Sequence, residues 1–221
     1  MIFCLEIIIL LCIIENTSNM AIGLKMLHEL LKGKQLVLAS ASPRRKEIFK
    51  LVGLKFLTVA ADIDETITDT KPYILVCRHA MHKALAVAAK MDADTVVVGA
   101  DTIVYLNSRI LGKPKDMEQA RAYLQFLSGN RHTVFSGISI VWQNRVVSDY
   151  AKSHVWFNQL SPNEIETYLS TGEPMDKAGA YGIQGYGSQF INRISGSYFN
   201  VMGFPVNLFY RLVTHMFQPI Q

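Results

Sequence analysis

Ser40-Ala41-Ser42-Pro43-Arg44-Arg45 places two arginines directly after a serine-proline pair, and an apolar run, Leu36-Val37-Leu38, leads into it. Serine is a good N-cap and proline suits the first helical position, so the arginines fall in a helix's first turn. The partial positive charge of a helix start opposes cations there, by a few tenths to about 1 kcal/mol. An anion docked at that turn resolves the conflict. Backbone N–H groups, the hydroxyls of Ser40 and Ser42, and guanidinium forks all bind phosphate-type oxygens. The plainer alternative is a solvated helix start with its arginines in water.

Asp101 interrupts the apolar run 96–106, VVVGADTIVYL. A buried, unpaired carboxylate costs several kcal/mol or stays protonated, so a metal ion, a cation or a turn must compensate it. Two readings stay open: an aspartate in a tight hairpin turn, or a metal ligand or general base at a strand end. Asp62, Asp64 and Glu65 form an acidic cluster in ADIDET. Mg²⁺ is held by one or two carboxylates with substrate phosphates and water, so one of these with Asp101 could bind it; a solvated loop is the alternative. Lys83 and Lys113 are candidate phosphate partners, and Gly112 and Pro114 restrict the backbone around the second. The stretch DKAGAYGIQGYG carries glycines at 179, 182, 185 and 187, which permit tight bends or a close approach to a ligand. Gln184 lies among them, and its amide offers both a donor and an acceptor, which suits the edge of a nucleobase. A bulged hairpin would explain the same glycines.

The elements that must carry these residues are mixed. Strands are expected at 35–40, 55–60, 95–99 and 102–106, with a long hairpin over 132–142 and 146–157. Helices are expected from Pro43 to near Gly53, from Pro72 through YILVCRHAMHKALAVAAK, after Asp116, after Ser161 and from about Pro205 to Met216. In the Pro72 helix, Arg78 and His82, and His79 and Lys83, fall at i,i+4 spacing. They form a basic stripe opposite an apolar face of Leu75, Ala84, Leu85 and Ala88. Asp116 with Gln119, and Ser161 with Glu164, have capping-box spacing. The class is α/β or α+β.

The chain has 221 residues, 50% of them hydrophobic, and a formal net charge of +4. One domain or two small lobes fit that length. The basic balance suits an anionic partner but is too weak for nucleic acid. Cys4, Cys12 and Cys77 form no CxxC, disulfide framework or zinc motif, so a reducing compartment fits. Residues 1–33 are expected to be an apolar N-terminal extension whose role the sequence leaves open. Its apolar run is shorter than a membrane span and lacks the basic start of a signal peptide, so no membrane association is expected.

In chain order, LASASPRR, DETIT, HKAL, VVGADTIV, LGKPKD, TGEPMDKAGAYGIQGYG and GSYFNVMGFP resemble the Maf family of nucleoside triphosphate pyrophosphatases. The resemblance covers nearly everything after the extension and implies a Maf-like domain over 34–217. Residues 172–176 also resemble the Maf-like domain of animal proteins fused to a methyltransferase-like region; no stretch of these 221 residues resembles that second region. The implied fold is α/β: a mixed twisted sheet flanked by helices, in two lobes with a central cleft. Arginine at 44, threonine at 102 and glutamine at 184 resemble the branch acting on dTTP and UTP rather than 7-methyl-GTP. Carried over, Asp101 is the expected proton acceptor. Arg44, Thr102 and Gln184 are the expected specificity determinants. Ser40, Arg45, Lys83 and Lys113 would contact substrate, and Glu65 with Asp101 would hold a divalent ion, Mg²⁺ or else Mn²⁺ or Co²⁺. A cytoplasmic homodimer is implied. The alternative from another class is a nucleotide-binding regulator of cell division without significant catalysis. The presence of Asp101 and Glu65 speaks against it, since a pure binder gains little from a buried carboxylate.

Overall fold

The computed structural model describes residues 25–63 and 71–217. Its elements in order are α1 (Leu27–Leu30), β1 (Leu36–Ala39), α2 (Pro43–Leu51), β2 (Leu57–Thr58), α3 (Pro72–Ala88), β3 (Val96–Leu106) and β4 (Arg109–Leu111). There follow α4 (Met117–Leu127), β5 (Arg131–Trp142), β6 (Arg145–Phe157), α5 (Pro162–Ser170), β7 (Ile191–Ser195), α6 (Tyr198–Met202) and α7 (Val206–Phe217). Short 3-10 turns at Glu173–Asp176, Ala178–Ala180 and Tyr186–Phe190 lie between α5 and β7. The seven strands form one mixed sheet in the order β2-β1-β3-β5-β6-β7, with β4 also on β3.

β3 organises the sheet. One edge pairs antiparallel with β5 from Val97 to Tyr105. The other is shared end to end. β1 runs parallel to it over Val96–Gly99, and β4 runs antiparallel over Val104–Leu106. Residues 100–103 lie in the gap between those two partners, where the sheet splits. Successive side chains of β3 alternate between faces. Val96, Val98 and Ala100 join a core cluster with Ile48, Phe49 and Phe209 from α2 and α7. Val97 and Ile103 pack with α3 residues on the other face. A second large cluster gathers Leu124, Leu127, Val134, Val155, Leu169 and Tyr181 around the far half of the sheet.

α3 lies unusually close to the sheet. A Cβ on Gly99 would come 2.1 Å from the Ala80 carbonyl oxygen, and one on Gly137 would come 2.3 Å from the Val76 oxygen. Gly137 is the ladder partner of Asp101. Two glycines therefore create the space through which the helix reaches the middle of β3.

Several expectations are revised. Runs 95–99 and 102–106 are one continuous strand, so Asp101 sits at mid-strand and no hairpin turn is needed. The second strand is only Leu57–Thr58. The basic stripe on α3 divides: His79 and Lys83 are buried, Arg78 is half-buried and His82 is exposed. Leu85, expected inside, is 40% exposed. The Ser161–Glu164 capping box forms as expected. At α4 it is half-formed: Asp116 accepts from Gln119 N, but the Gln119 side chain accepts from Lys115 N. The 179–187 stretch folds as tight turns and not as a hairpin. Leu27, Leu30 and Leu31, within the expected extension, are buried in the first core cluster.

Candidate active site

The pleat of β3 sends Asp101 and Thr102 to opposite faces, and each meets a different cation. Asp101 is 6% exposed, and both its oxygens are engaged by α3. Lys83 Nζ donates to Oδ1 at 2.7 Å and His79 Nδ1 donates to Oδ2 at 3.2 Å. His79 and Lys83 are four apart, so both lie on the helix face that crosses the sheet. Burial pushes the Asp101 carboxyl up, but the His79 hydrogen bond and the Lys83 and Arg45 charges outweigh it. The net effect holds it below its ordinary value. It is therefore ionised at neutral pH, and a carboxylate offers about four lone-pair sites, so two remain for water.

Thr102 meets Arg45, which α2 carries inward. Arg45 Nε donates to the Gly203 carbonyl oxygen at 3.0 Å, Nη1 to Ser40 Oγ at 3.1 Å and Nη2 to Thr102 Oγ1 at 3.2 Å. One guanidinium thus ties the β1–α2 turn, β3 and the turn after α6. Ser42 makes no side-chain cap bond, and its own N–H donates to Ser40 Oγ at 3.2 Å. The turn 39–45, including the start of the nine-residue α2, lines a cleft of about 550 Å³. Such an end attracts anions through its N–H groups and dipole. The volume falls within the roughly 300–1,000 Å³ usual for small-molecule sites.

Arg44, Lys83, Asp101, Thr102 and Lys113 line the same cleft with Ser40 and Arg45. Seven of the expected residues therefore converge from the β1–α2 turn, α2, α3, β3 and the β4–α4 turn. Arg44 spans the cleft to the 3-10 turns, where its Nη1 lies 3.3 Å from Asp176 Oδ2. Gln184 is exposed and is not among the lining residues, although its neighbours Gly182 and Ile183 are. Glu65 lies outside the described residues. Among the described residues no three His, Cys, Asp or Glu side chains gather as a metal site. Among the described residues the cleft offers two carboxylates, Asp101 and the Arg44-paired Asp176, too few for an all-protein cage, so they suit an ion brought in on a polyphosphate, whose oxygens complete its shell.

Sequence reasoning missed His79 and Asp176. The spacing of His79 to Lys83 was visible, but only the packing of α3 shows that this pair faces Asp101. Asp176 has no signal short of the fold, since it lies 132 residues from Arg44.

A family model described as Maf-like protein matches residues 35–216. A dTTP/UTP pyrophosphatase of Bacillus cereus is 44% identical over 186 residues, covering 84% of this chain and 90% of its own length. A dTTP/UTP pyrophosphatase of Bacillus anthracis is 43% identical over 186 residues, covering 84% of this chain and 95% of its own. Among solved structures, the Staphylococcus aureus Ham1 protein aligns with a TM-score of 0.50 at 15% identity, over 83% of this chain and 100% of its own, a likeness of fold. Among the described residues no helix is long and apolar enough to cross a membrane.

Proposed function

The chain belongs to the Maf-like protein family, and on that premise we propose that it hydrolyses dTTP and UTP to the nucleoside monophosphate and pyrophosphate. The observation that carries the chemistry is the Asp101 carboxyl, buried at mid-strand between Lys83 and His79, in the same cleft as the first turn of α2.

The triphosphate lies against that turn, where Ser40, Arg44 and Arg45 offer donors and positive charge. Water attacks the α-phosphorus, the new P–O bond forms and the α–β anhydride bond breaks. Asp101 accepts the proton of the attacking water through its remaining lone pairs and releases it to solvent. Its depressed pKa keeps it ready in the deprotonated form at neutral pH. Arg45, Lys83 and Lys113 stabilise the charge that collects on the leaving pyrophosphate. A divalent ion entering with the nucleotide, Mg²⁺ or else Mn²⁺ or Co²⁺, would neutralise phosphate oxygens, with Asp101 and Glu65 as its carboxylate ligands. Arg44, Thr102 and Gln184 set the preference for a pyrimidine. We extend the proposal to a cytoplasmic homodimer, on the family resemblance.

The test is pyrophosphate release from dTTP, UTP, CTP, 7-methyl-GTP and ATP, with Mg²⁺ and with chelator. Release from dTTP and UTP is expected, and it should stop in chelator. Asp101→Asn is expected to lower kcat at least ~100-fold, the scale of a lost general base. Release from 7-methyl-GTP alone would overturn the roles of Arg44, Thr102 and Gln184. Nucleotide binding without any release would favour the regulator.

A further inference from the structure

Gln184 is placed by something other than its own burial, and the hydrogen bonds around it converge on one carboxylate. We propose that Glu173 is the positioning residue for the base-reading segment 182–187, a role that rests on the nucleotide reading above. Glu173 Oε1 accepts from Tyr168 Oη at 2.9 Å and from Gly187 N at 3.2 Å, and Oε2 accepts from Tyr186 N at 2.8 Å. Tyr168 Oη in turn accepts from Gly182 N at 3.2 Å. The segment is thereby tied on both sides of Gln184. Only Ile183, Gln184 and Gly185 lie between the ties, and so short a span fixed at both ends has little conformational freedom left.

The glycine spacing follows from the same carboxylate. A Cβ on Gly185 would come 2.1 Å from Glu173 Oε2 and one on Gly182 would come 2.8 Å from Oε1. One on Gly187 would come 2.8 Å from Tyr168 Oη. Glycines at 182, 185 and 187 are the footprint of the Glu173–Tyr168 pair. Tyr168 is anchored by burial on α5 at 3% exposure, so the carboxylate is held from a rigid element. Glu173 accepts three donors, and bonds to an ionised acceptor are the strong ones. Glutamine does not replace it, because its NH₂ would face a backbone N–H, donor against donor.

The experiment compares wild type with Glu173→Gln, Tyr168→Phe and the double variant, by steady-state pyrophosphate release and by amide hydrogen exchange. In Glu173→Gln the KM for dTTP is expected to rise about tenfold or more, with a smaller fall in kcat and narrower selectivity for dTTP over CTP. Tyr168→Phe gives a smaller shift in the same direction, and the double variant falls short of the sum because the two side chains act through one bond network. A loss of folded protein alone would lower kcat and leave KM in place, so an unmoved KM in both single variants overturns the proposal. Exchange at Gly182, Tyr186 and Gly187 is expected to speed up in Glu173→Gln while β3 and β5 keep their wild-type protection. Unchanged exchange overturns the proposal. If wild type hydrolyses no nucleotide, the functional reading fails, and the exchange result still decides whether Glu173 holds the segment.

Discussion

At the scale of single residues, the site turns on a competition at Asp101. Burial alone would raise its carboxyl; the His79 bond and two nearby cations reverse the sign. A depressed carboxylate pKa stabilises the fold above the unfolded value of about 3.9, and that contribution is lost as pH falls through the lower folded value. The acid limb of kcat/KM for dTTP is therefore expected below the ordinary carboxylate range. His79→Ala removes the leading contribution that offsets burial, so the acid limb should move toward neutral pH. A pH profile of kcat/KM in the variant checks this, and an unmoved limb would mean that Lys83 and Arg45 suffice. Asp101 and Arg45 were legible in the sequence because each breaks a local rule: a carboxylate in an apolar run, an arginine in a helix's first turn; Lys83, an ordinary helix former, stood out only as a candidate phosphate partner. His79 breaks none, and its role exists only through the packing of α3.

At the scale of elements, helix and strand must approach closely for those residues to meet, and the glycines at 99 and 137 are what allow it. Gly137→Ala is expected to push α3 outward and lengthen the Lys83–Asp101 contact. Overpacking of this kind costs ~1–3 kcal/mol, which urea unfolding would measure. The variant should also lose turnover beyond what its folded fraction explains, since the displaced side chains are those of the site. The sequence read these elements unevenly for physical reasons. Caps and proline starts announce helices locally, which is why Pro43, Pro72 and Pro162 mark α2, α3 and α5. The strand 96–106 looked broken at Ala100-Asp101 because a mid-strand carboxylate is costly unless a partner compensates it. Its compensation arrives from α3, on another element. β7 was missed because its residues are mostly exposed and lack an apolar alternation.

At the scale of the whole molecule, the cleft draws its walls from both large core clusters. Met202 and Ile183 belong to one, and Val104, Val134 and Tyr181 to the other. The order of strands that produces this cleft was not readable from apolar runs, because β1 and β4 share one edge of β3 and leave the gap at 100–103. A ligand seated there touches both halves and binds the folded state alone, so it should stabilise the entire chain by mass action. At a free concentration of 100 Kd the gain is about 2.7 kcal/mol. For a chain of this size, each kcal/mol moves Tm by ~2–4 °C. A dTTP analogue with a methylene bridge between the α and β phosphorus resists cleavage and separates binding from turnover. With Mg²⁺ at such saturation it should raise Tm by ~5–10 °C in wild type, and by less in Arg45→Ala, which removes the guanidinium joining α2, β3 and the turn after α6. A shift of the same size in both proteins would show that the triphosphate does not rest on the first turn of α2. No shift in wild type at millimolar analogue would show that the cleft does not take a triphosphate at all.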